Sequence, residues 1–289
     1  MIPINLYPAS IRNAMKIDGV ELLLASDGTF KLDGGAMFGV VPKPIWERYF
    51  KPDEKNKITL ATNVLVIRSG KHVAIVDIGI GDKFDKKLQD VYEIRRTRNL
   101  IQDLGEKGIE TGDVTHVIIT HGHLDHTGWA TSYNHGTLEP TFKNAKYFLQ
   151  EDTLKEIREP NQKTRPNYNY LNFQNLDERM EVVKGDEEIF PGVELIKSGG
   201  HTLGHQIVVL RVGNSTFTYF GDLIPTSAHV KPAYIMAYDL YPMDTFSRKK
   251  ELLYRAFREN WTLFFEHDPT TPSAHLIDIE NYGLRPVTL

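Results

Sequence analysis

The feature that most constrains this chain is a short apolar strand that runs directly into a cluster of metal-binding side chains. The predicted strand His116 to Thr120 is followed by His121-Gly122-His123-Leu124-Asp125-His126, so three imidazoles and a carboxylate fall within six residues. Imidazole and carboxylate are the ligands that zinc accepts when thiolate is absent, and the chain has no cysteine. The segment therefore predicts a metal site.

Three further candidate ligands stand in similar settings. His201 follows a glycine pair, Asp222 follows a predicted strand and one glycine, and His267 follows another predicted strand. A single histidine is more often a hydrogen-bonded or solvated residue than a ligand, so the inference depends on the cluster as a whole.

The spacing within the six-residue segment predicts two ions. We expect His121 and His123 to face one ion, and Asp125 and His126 to face a second. Asp222 belongs to neither set, and a carboxylate between two ions can bridge them. Two cations lower the pKa of a shared water, so a hydroxide is available near neutral pH without a cysteine or serine nucleophile.

Runs of β-branched and apolar residues predict eight strands, and two helices are expected between them. The strands are Glu21 to Ala25, Asn63 to Arg68, His72 to Ile78, His116 to Thr120, Val193 to Lys197, Ile207 to Val212, Phe217 to Phe220 and Thr262 to Phe265. The helices are Arg95 to Leu104 and one that begins near Asp244 as N-cap, with Phe246, Leu253 and Phe257 on its apolar face and Lys249 away from it.

This order predicts an α/β (α+β) fold: an αββα sandwich of two packed mixed β-sheets with helices on the outer faces. No repeat or long linker divides the sequence, so we expect one domain over residues 1–289. The polar stretch from Glu159 to Asn175 is the expected excursion from the core.

The net charge of -4 predicts no electrostatic capture of nucleic acid or anionic membrane. The first twenty residues lack the apolar centre of a signal peptide, and no apolar run is long enough to span a bilayer. We therefore expect a cytoplasmic protein with a small-molecule substrate. The oligomeric state stays open, with a homodimer as one alternative.

The ligand pattern resembles the signature of the metallo-β-lactamase-fold hydrolases over about residues 60 to 270. The resemblance implies the αββα sandwich and two zinc ions. It places His121, His123 and His201 on the first ion, Asp125, His126 and His267 on the second, and Asp222 between them.

Three further segments resemble the YtnP-type branch of quorum-quenching lactonases: Gly200 to Gln206, Gly221 to Thr226 and Ala237 to Asp244. This similarity implies opening of N-acyl-homoserine lactones, with Asp125 and Asp222 as the catalytic carboxylates. Other lactonases of the superfamily carry a tyrosine three residues after the bridging aspartate, where this chain has Pro225. His229 is a candidate replacement.

Several residues near the predicted ligands have two possible roles each, one at the site and one in the structure. Asp77 ends an apolar strand, where it either accepts a proton from the far nitrogen of a ligand histidine or caps the turn at Gly79. His205 either supports a ligand or is a packed core residue. An ordered loop with Met37, Phe38 and Trp46 is predicted either to wall the substrate pocket for an acyl chain or to pack on the core.

Other activities share the same ligand chemistry. A phosphotriesterase or phosphodiesterase is the nearest alternative, because a hydroxide does not choose carbon over phosphorus. A glutathione-thioester hydrolase would need a basic pocket that the sequence does not show, and a nuclease is disfavoured by the acidic balance. A metal-binding sensor module without catalysis is the alternative from another class.

Overall fold

Two seven-stranded β-sheets packed face to face form the centre of the computed structural model, which describes residues 14–288. The first sheet contains the strands β1 (Met15–Ile17), β2 (Val20–Asp33), β3 (Lys57–Ser69), β4 (His72–Val76), β5 (His116–Ile118), β8 (Lys146–Gln150) and β9 (Met180–Val183), with β6 (Thr131–Asn134) and β7 (Thr137–Pro140) forming a separate hairpin. The second sheet contains β10 (Glu187–Phe190), β11 (Val193–Lys197), β12 (Gln206–Val212), β13 (Ser215–Tyr219), β14 (Thr262–Phe264), β15 (Ser273–Asp278) and β16 (Gly283–Pro286).

The helices are short except for the last. They are α1 (Gly34–Phe38), α2 (Lys43–Trp46), α3 (Lys86–Val91), α4 (Leu100–Glu106), α5 (Glu151–Arg158) and α6 (Pro242–Arg258). Within residues 14–288, no helix combines the length and the apolar character that crossing a membrane requires.

Period-two alternation along the strands builds the sandwich. In β2, Leu22 and Leu24 point into the core between the sheets, whereas Leu23 and Ala25 point to the outer face. Strand β12 of the facing sheet alternates in the same way, so the inner faces of the two sheets share one apolar core.

Helices cover both outer faces. Leu100 and Leu104 of α4 and Ile157 of α5 pack on the outer face of the first sheet. Leu253 and Ala256 of α6 pack on the outer face of the second sheet. The layers are therefore α, β, β and α, and the predicted sandwich is confirmed.

Parallel strand pairs position the candidate site. Strands β4, β5, β8 and β9 run parallel to one another in the first sheet, as do β13 and β14 in the second. Parallel strands bring their carboxyl ends to one edge of a sheet. The segments that follow β4, β5, β13 and β14 consequently meet at one edge of the sandwich.

The predicted limits of α4 are corrected at its start. Arg95 pairs with Thr29 of β2 by two backbone hydrogen bonds of 2.8 Å, so residues 95 to 99 are not helical. The helix begins at Leu100 because Asn99 and Gln102 form a capping box around its first turn.

The predicted start and apolar face of α6 are also corrected. The helix begins at Pro242, and Asp244 lies in the first turn instead of capping it. The side chain of Lys249, expected away from the core, is fully buried. Its Nζ donates to the carbonyl oxygens of Lys231 (3.1 Å) and Tyr234 (2.7 Å), which supply polar partners inside the protein.

The stretch from Gly34 to Trp46, predicted as an ordered loop, contains the short helices α1 and α2. Asp33 caps α1 by accepting a hydrogen bond from the backbone N–H of Ala36. A side chain at Gly34 would place its Cβ 2.5 Å from the Trp46 ring, so only glycine permits this close packing.

Candidate metal centre

The predicted ligands converge at the edge where the strands end. Six of the seven predicted ligands, all except Asp125, form two groups with Glu266, and the ligand atoms of each group lie within 4.8 Å of one another in the described part of the chain. The first group contains His121, His123, His201 and Asp222, and the second contains His126, Asp222, Glu266 and His267. Asp222 is common to both groups, which is the geometry that a bridging carboxylate requires.

Four of the imidazoles are fixed through Nδ1. His201 Nδ1 lies 2.7 Å from Asp239 Oδ1, and His267 Nδ1 lies 2.8 Å from the Ala61 carbonyl oxygen. His121 Nδ1 lies 3.1 Å from Thr120 Oγ1, and His126 Nδ1 lies 3.0 Å from Asp77 Oδ2. Because each Nδ1–H faces an acceptor, each Nε2 carries the lone pair that a metal needs.

Ring nitrogens and carboxylate oxygens face one another at short range in the first group. His201 Nε2 lies 3.1 Å from His123 Nδ1 and 3.2 Å from Asp222 Oδ2. His121 Nε2 is 3.9 Å from Asp222 Oδ2. Two imidazole lone pairs and a carboxylate pointing into one space need a cation or protons between them, so the group suits a metal ion.

The second group surrounds the other oxygen of Asp222. Asp222 Oδ1 lies 3.1 Å from His267 Nε2 and 3.7 Å from His126 Nε2. Asp125 Oδ1 lies 3.7 Å from His126 Nε2, and Asp125 Oδ2 lies 3.7 Å from His267 Nε2. Glu266 instead approaches Nδ1 on the far side of the His126 ring, at 2.9 Å. On this geometry, Asp125 lies with the metal-facing nitrogens and Glu266 supports the ring from behind.

Several of these polar atoms are buried without a hydrogen-bond partner. They are Nε2 of His121, His123 and His126, Oδ1 of Asp222, and both carboxylate oxygens of Glu266. A buried polar atom without a partner is costly, and divalent cations would satisfy Nε2 of His121 and His126 and Oδ1 of Asp222. The donor set of imidazole and carboxylate therefore fits two ions such as zinc.

Mutual electrostatics explain how the carboxylate stays charged. Burial alone would raise the pKa of Asp222, but the positive charges of His126, His201 and His267, whose own pKa values are raised by the carboxylates around them, hold it well below its usual range; a bound cation would take the place of these protons. Burial lowers the pKa of His121 and His123 far below the ordinary value, which leaves both rings neutral and able to act as ligands.

Asp77 and His205 occupy supporting positions. Asp77 accepts hydrogen bonds from the backbone N–H (2.8 Å) and hydroxyl (2.7 Å) of Thr120, in addition to its contact with His126. His205 Nε2 accepts from the backbone N–H of Asp222. Of the two interpretations of Asp77, the contact with the histidine is the one the structure contains.

Sequence reasoning missed Asp239 and Glu266. Asp239 lies in an irregular segment with no pattern that marks it as a partner of His201, 38 residues away. Glu266 could have been noticed as a carboxylate between an apolar strand and His267. Burial raises its pKa to about 8, although the adjacent imidazole of His126 opposes this effect.

A largely apolar cavity opens onto the first group, the shared Asp222 and Asp125. Its lining consists of Phe30, Leu32, Ile80, Phe84, Tyr92, His123, Leu124, Asp125, Asn167, His201, Asp222 and Tyr238. Asn167 comes from the predicted excursion, whose backbone contacts the site through a 2.9 Å hydrogen bond from Leu124 N. The excursion thus returns to form one wall.

The predicted wall residues lie behind the cavity, and this prediction is corrected. Met37, Phe38 and Trp46 are at most 1% exposed and belong to a core cluster beneath Phe30 and Phe84. Their apolar character suits a core as well as a wall, and the ring of Phe38 stacks on Trp46 at 5.4 Å.

His229 is also outside the cavity lining. Its ring stacks on Phe38 at 4.6 Å, with Nε2 2.8 Å from the Met37 carbonyl oxygen and Nδ1 2.7 Å from Thr226 Oγ1. Both nitrogens are engaged and burial lowers its pKa to about 3, so His229 cannot replace a substrate-facing tyrosine at Pro225.

Comparisons with known proteins agree with this fold. Residues 58–267 match the family model of the metallo-beta-lactamase superfamily. A solved structure of a probable metal-dependent hydrolase from Staphylococcus aureus is 30% identical, covers 95% of this chain and 100% of its own, and superposes with a TM-score of 0.88. The chain therefore belongs to the metallo-beta-lactamase superfamily.

Two lactonases are more distant relatives. An N-acyl homoserine lactonase from a Bacillus species is 27% identical over 116 residues, and the match spans only 40% of the length of each protein. AidC, a dizinc quorum-quenching lactonase solved with a product, superposes with a TM-score of 0.78 at 16% identity over 96% of this chain and 97% of its own. The second likeness is one of fold.

Proposed function

We propose that the chain is a dinuclear metallohydrolase that opens the lactone ring of N-acyl-homoserine lactones and thereby quenches quorum signals. The observation that carries the proposal is the position of the apolar cavity, whose lining includes Asp125 and the shared Asp222 beside His123 and His201. An apolar acyl tail can occupy this space while the ester lies over Asp222. The lactonase relatives support the same substrate class.

In this proposal, His121, His123 and His201 hold one ion and Asp125, His126 and His267 hold the other, with Asp222 shared. We expect zinc, because the donors are imidazole and carboxylate in a chain without cysteine. The ions would acidify water to a nucleophile and polarise the ester carbonyl.

The protein's own residues prepare the site for this chemistry. Asp77, Asp239 and the Ala61 carbonyl hold three imidazoles in the tautomer that leaves Nε2 free. The apolar walls exclude bulk water, which strengthens electrostatic interactions with the developing negative charge. In this proposal Asp125, whose carboxylate lies 3.7 Å from Nε2 of both His126 and His267, accepts the proton that the attacking water releases.

A substrate panel tests the proposal. Purified protein with its metals counted should show its highest kcat/KM on N-acyl-homoserine lactones, compared with phosphotriesters and thioesters. Strong phosphotriester turnover without lactone turnover would favour the phosphotriesterase alternative. Two bound ions without turnover of any of these substrates would favour a sensor module.

A further inference from the structure

Lactone hydrolysis requires a proton for the leaving oxygen, and this requirement rests on the proposed function above. Water adds across the acyl C–O bond: its hydroxyl goes to the acyl carbon, and the departing alkoxide must gain a proton. An alkoxide is a strong base, so a positioned acid can accelerate its departure by roughly 10²–10⁴-fold. While they hold cations, the carboxylates of Asp125 and Asp222 would carry no proton of their own to give to the leaving oxygen.

The cavity offers few acids of its own. Apart from the predicted metal ligands, its polar lining side chains are Tyr92, Asn167 and Tyr238. An amide does not release a proton near neutral pH, which leaves the two tyrosines.

The segment around Tyr238 is fixed to the metal centre. The next residue, Asp239, contacts His201 Nδ1 at 2.7 Å, and the backbone N–H of Leu240 donates to the His201 carbonyl oxygen at 2.9 Å. On the other side, the backbone N–H of Ala237 donates to Ala36 O at 2.8 Å. The backbone on both sides of Tyr238 is thus held, by α1 and by a predicted ligand, and the Tyr238 side chain lines the cavity.

Tyr92 is attached less directly. It follows α3, a helix with no buried residue, and its ring contacts Phe84 at 5.8 Å. Its backbone carbonyl accepts from Lys31 N of β2 at 2.7 Å, and no predicted ligand takes part in these contacts.

The ionisation of Tyr238 suits an acid. Burial raises its pKa to about 12, and the negative charge of Asp33 acts in the same direction. The phenol therefore stays protonated at neutral pH and is still a stronger acid than an alcohol.

We propose that Tyr238 is the general acid, whose hydroxyl gives its proton to the alkoxide oxygen as the acyl C–O bond breaks. The Tyr238 O–H bond breaks and the O–H bond of the product alcohol forms. The phenolate then takes up the proton that the attacking water released, by way of Asp125 or solvent, so the tyrosine is unchanged after one turnover.

The leaving group provides the test. Tyr238→Phe should lower kcat for N-hexanoyl-homoserine lactone by about 10²-fold, but change kcat for 4-nitrophenyl hexanoate by less than about threefold, because nitrophenolate leaves without a proton. The ratio of the two kcat values in one preparation does not depend on the fraction of folded, metal-loaded protein. Tyr254→Phe, on the exposed side of α6, is the matched control and should leave the ratio unchanged.

A binding measurement adds a readout that does not depend on turnover. Tyr238→Phe should weaken calorimetric binding of the product N-hexanoyl-homoserine by about fivefold, the effect of one hydrogen bond to its hydroxyl. Binding of the analogue that lacks this hydroxyl, N-hexanoyl-2-aminobutyrate, should be equal in the two proteins.

Several outcomes would overturn the proposal: equal kcat losses on both substrates, unchanged lactone turnover, or a change of the ratio in Tyr92→Phe instead. Failure of the lactonase function is distinguishable from these. If the wild type cleaves phosphotriesters and no lactone, the lactonase function fails but the role of Tyr238 can still be tested. The ratio of kcat values is then measured on phosphotriesters with an alkyl and with an aryl leaving group. A wild type that is inactive on all of these substrates overturns both proposals.

Discussion

His205 accepts a hydrogen bond from the backbone N–H of Asp222 through Nε2, at 3.1 Å. Its Nδ1 lies 2.6 Å from Ser198 Oγ, so the ring proton resides on Nδ1. Burial lowers the pKa of His205 well below the ordinary value, which keeps Nε2 free to accept. A histidine outside the two ligand groups thereby fixes the backbone of the carboxylate that the groups share.

Loss of this acceptor should weaken metal binding. His205→Phe keeps a ring in the core but leaves the Asp222 N–H without its partner, so we expect metal affinity to fall roughly 10- to 100-fold. Competition with a chelator measures the affinity. His135→Asn is a matched control at an exposed turn, where φ of 48° is tolerated by asparagine. Equal affinities in His205→Phe and the control would contradict a supporting role.

The shared position of Asp222 makes its substitution differ from that of a one-sided ligand. Elemental analysis of the wild type should find about two metals per chain. Asp222→Ala should deplete both positions, whereas His267→Ala should retain about one metal, because only the second group loses a donor. Full metal content in Asp222→Ala, or a reproducible value near one in active wild type, would disprove the two-metal arrangement.

The sequence predicted the features that local patterns encode. Runs of β-branched and apolar residues located β2 to β5 and β11 to β14, but not β1, β8, β9, β10, β15 or β16, and the His121 to His126 segment was dense enough to mark a metal site by itself. Strand ends also indicated where the remaining ligands would meet.

Contacts between distant segments were beyond local patterns. Asp239 contacts His201 from a segment that is hydrogen-bonded to α1, and no spacing in the sequence marks it as the partner of this histidine. Apolar composition could not separate a cavity wall from the core behind it, which is why Phe38 was assigned to the wall. Lys249 was expected on the solvent side because a charged side chain is usually excluded from the core. In the structure it is buried, and two backbone carbonyl oxygens accept hydrogen bonds from its Nζ.

Lys249 should make stability depend on pH. Burial lowers its pKa in the folded protein from 10.5 to about 7, so between these values the unfolded chain binds more protons than the folded one. Stability contributed by this group therefore rises with pH from about 7 towards 10, by at most about 1.4 kcal/mol per pH unit. Urea unfolding at pH 7 and pH 9 should show this gain in the wild type and lose it in Lys249→Met.

Lys250→Met is the matched control for this experiment, because Lys250 is the exposed neighbour on the same helix. Its pH dependence should follow the wild type. An equal gain with pH in Lys249→Met would show that Lys249 titrates normally in the folded protein.

Chain-length selectivity tests which residues form the cavity wall. Each methylene removed from water contributes about 0.8 kcal/mol, so four added acyl carbons can raise kcat/KM by roughly two orders of magnitude if the cavity encloses them. Phe84 lines the cavity, and Phe84→Ala should flatten this dependence while short-chain lactones react nearly as before.

Phe38→Ala should instead lower the free energy of unfolding by about 3–5 kcal/mol, because it leaves a hole in the core. Its slope of kcat/KM against chain length should stay close to that of the wild type, since the ring lies behind the wall. The measurements are kcat/KM for a series of acyl-homoserine lactones and urea unfolding of both variants. A flattened slope in Phe38→Ala together with an unchanged slope in Phe84→Ala would show that the α1 segment, and not Phe84, forms the cavity wall.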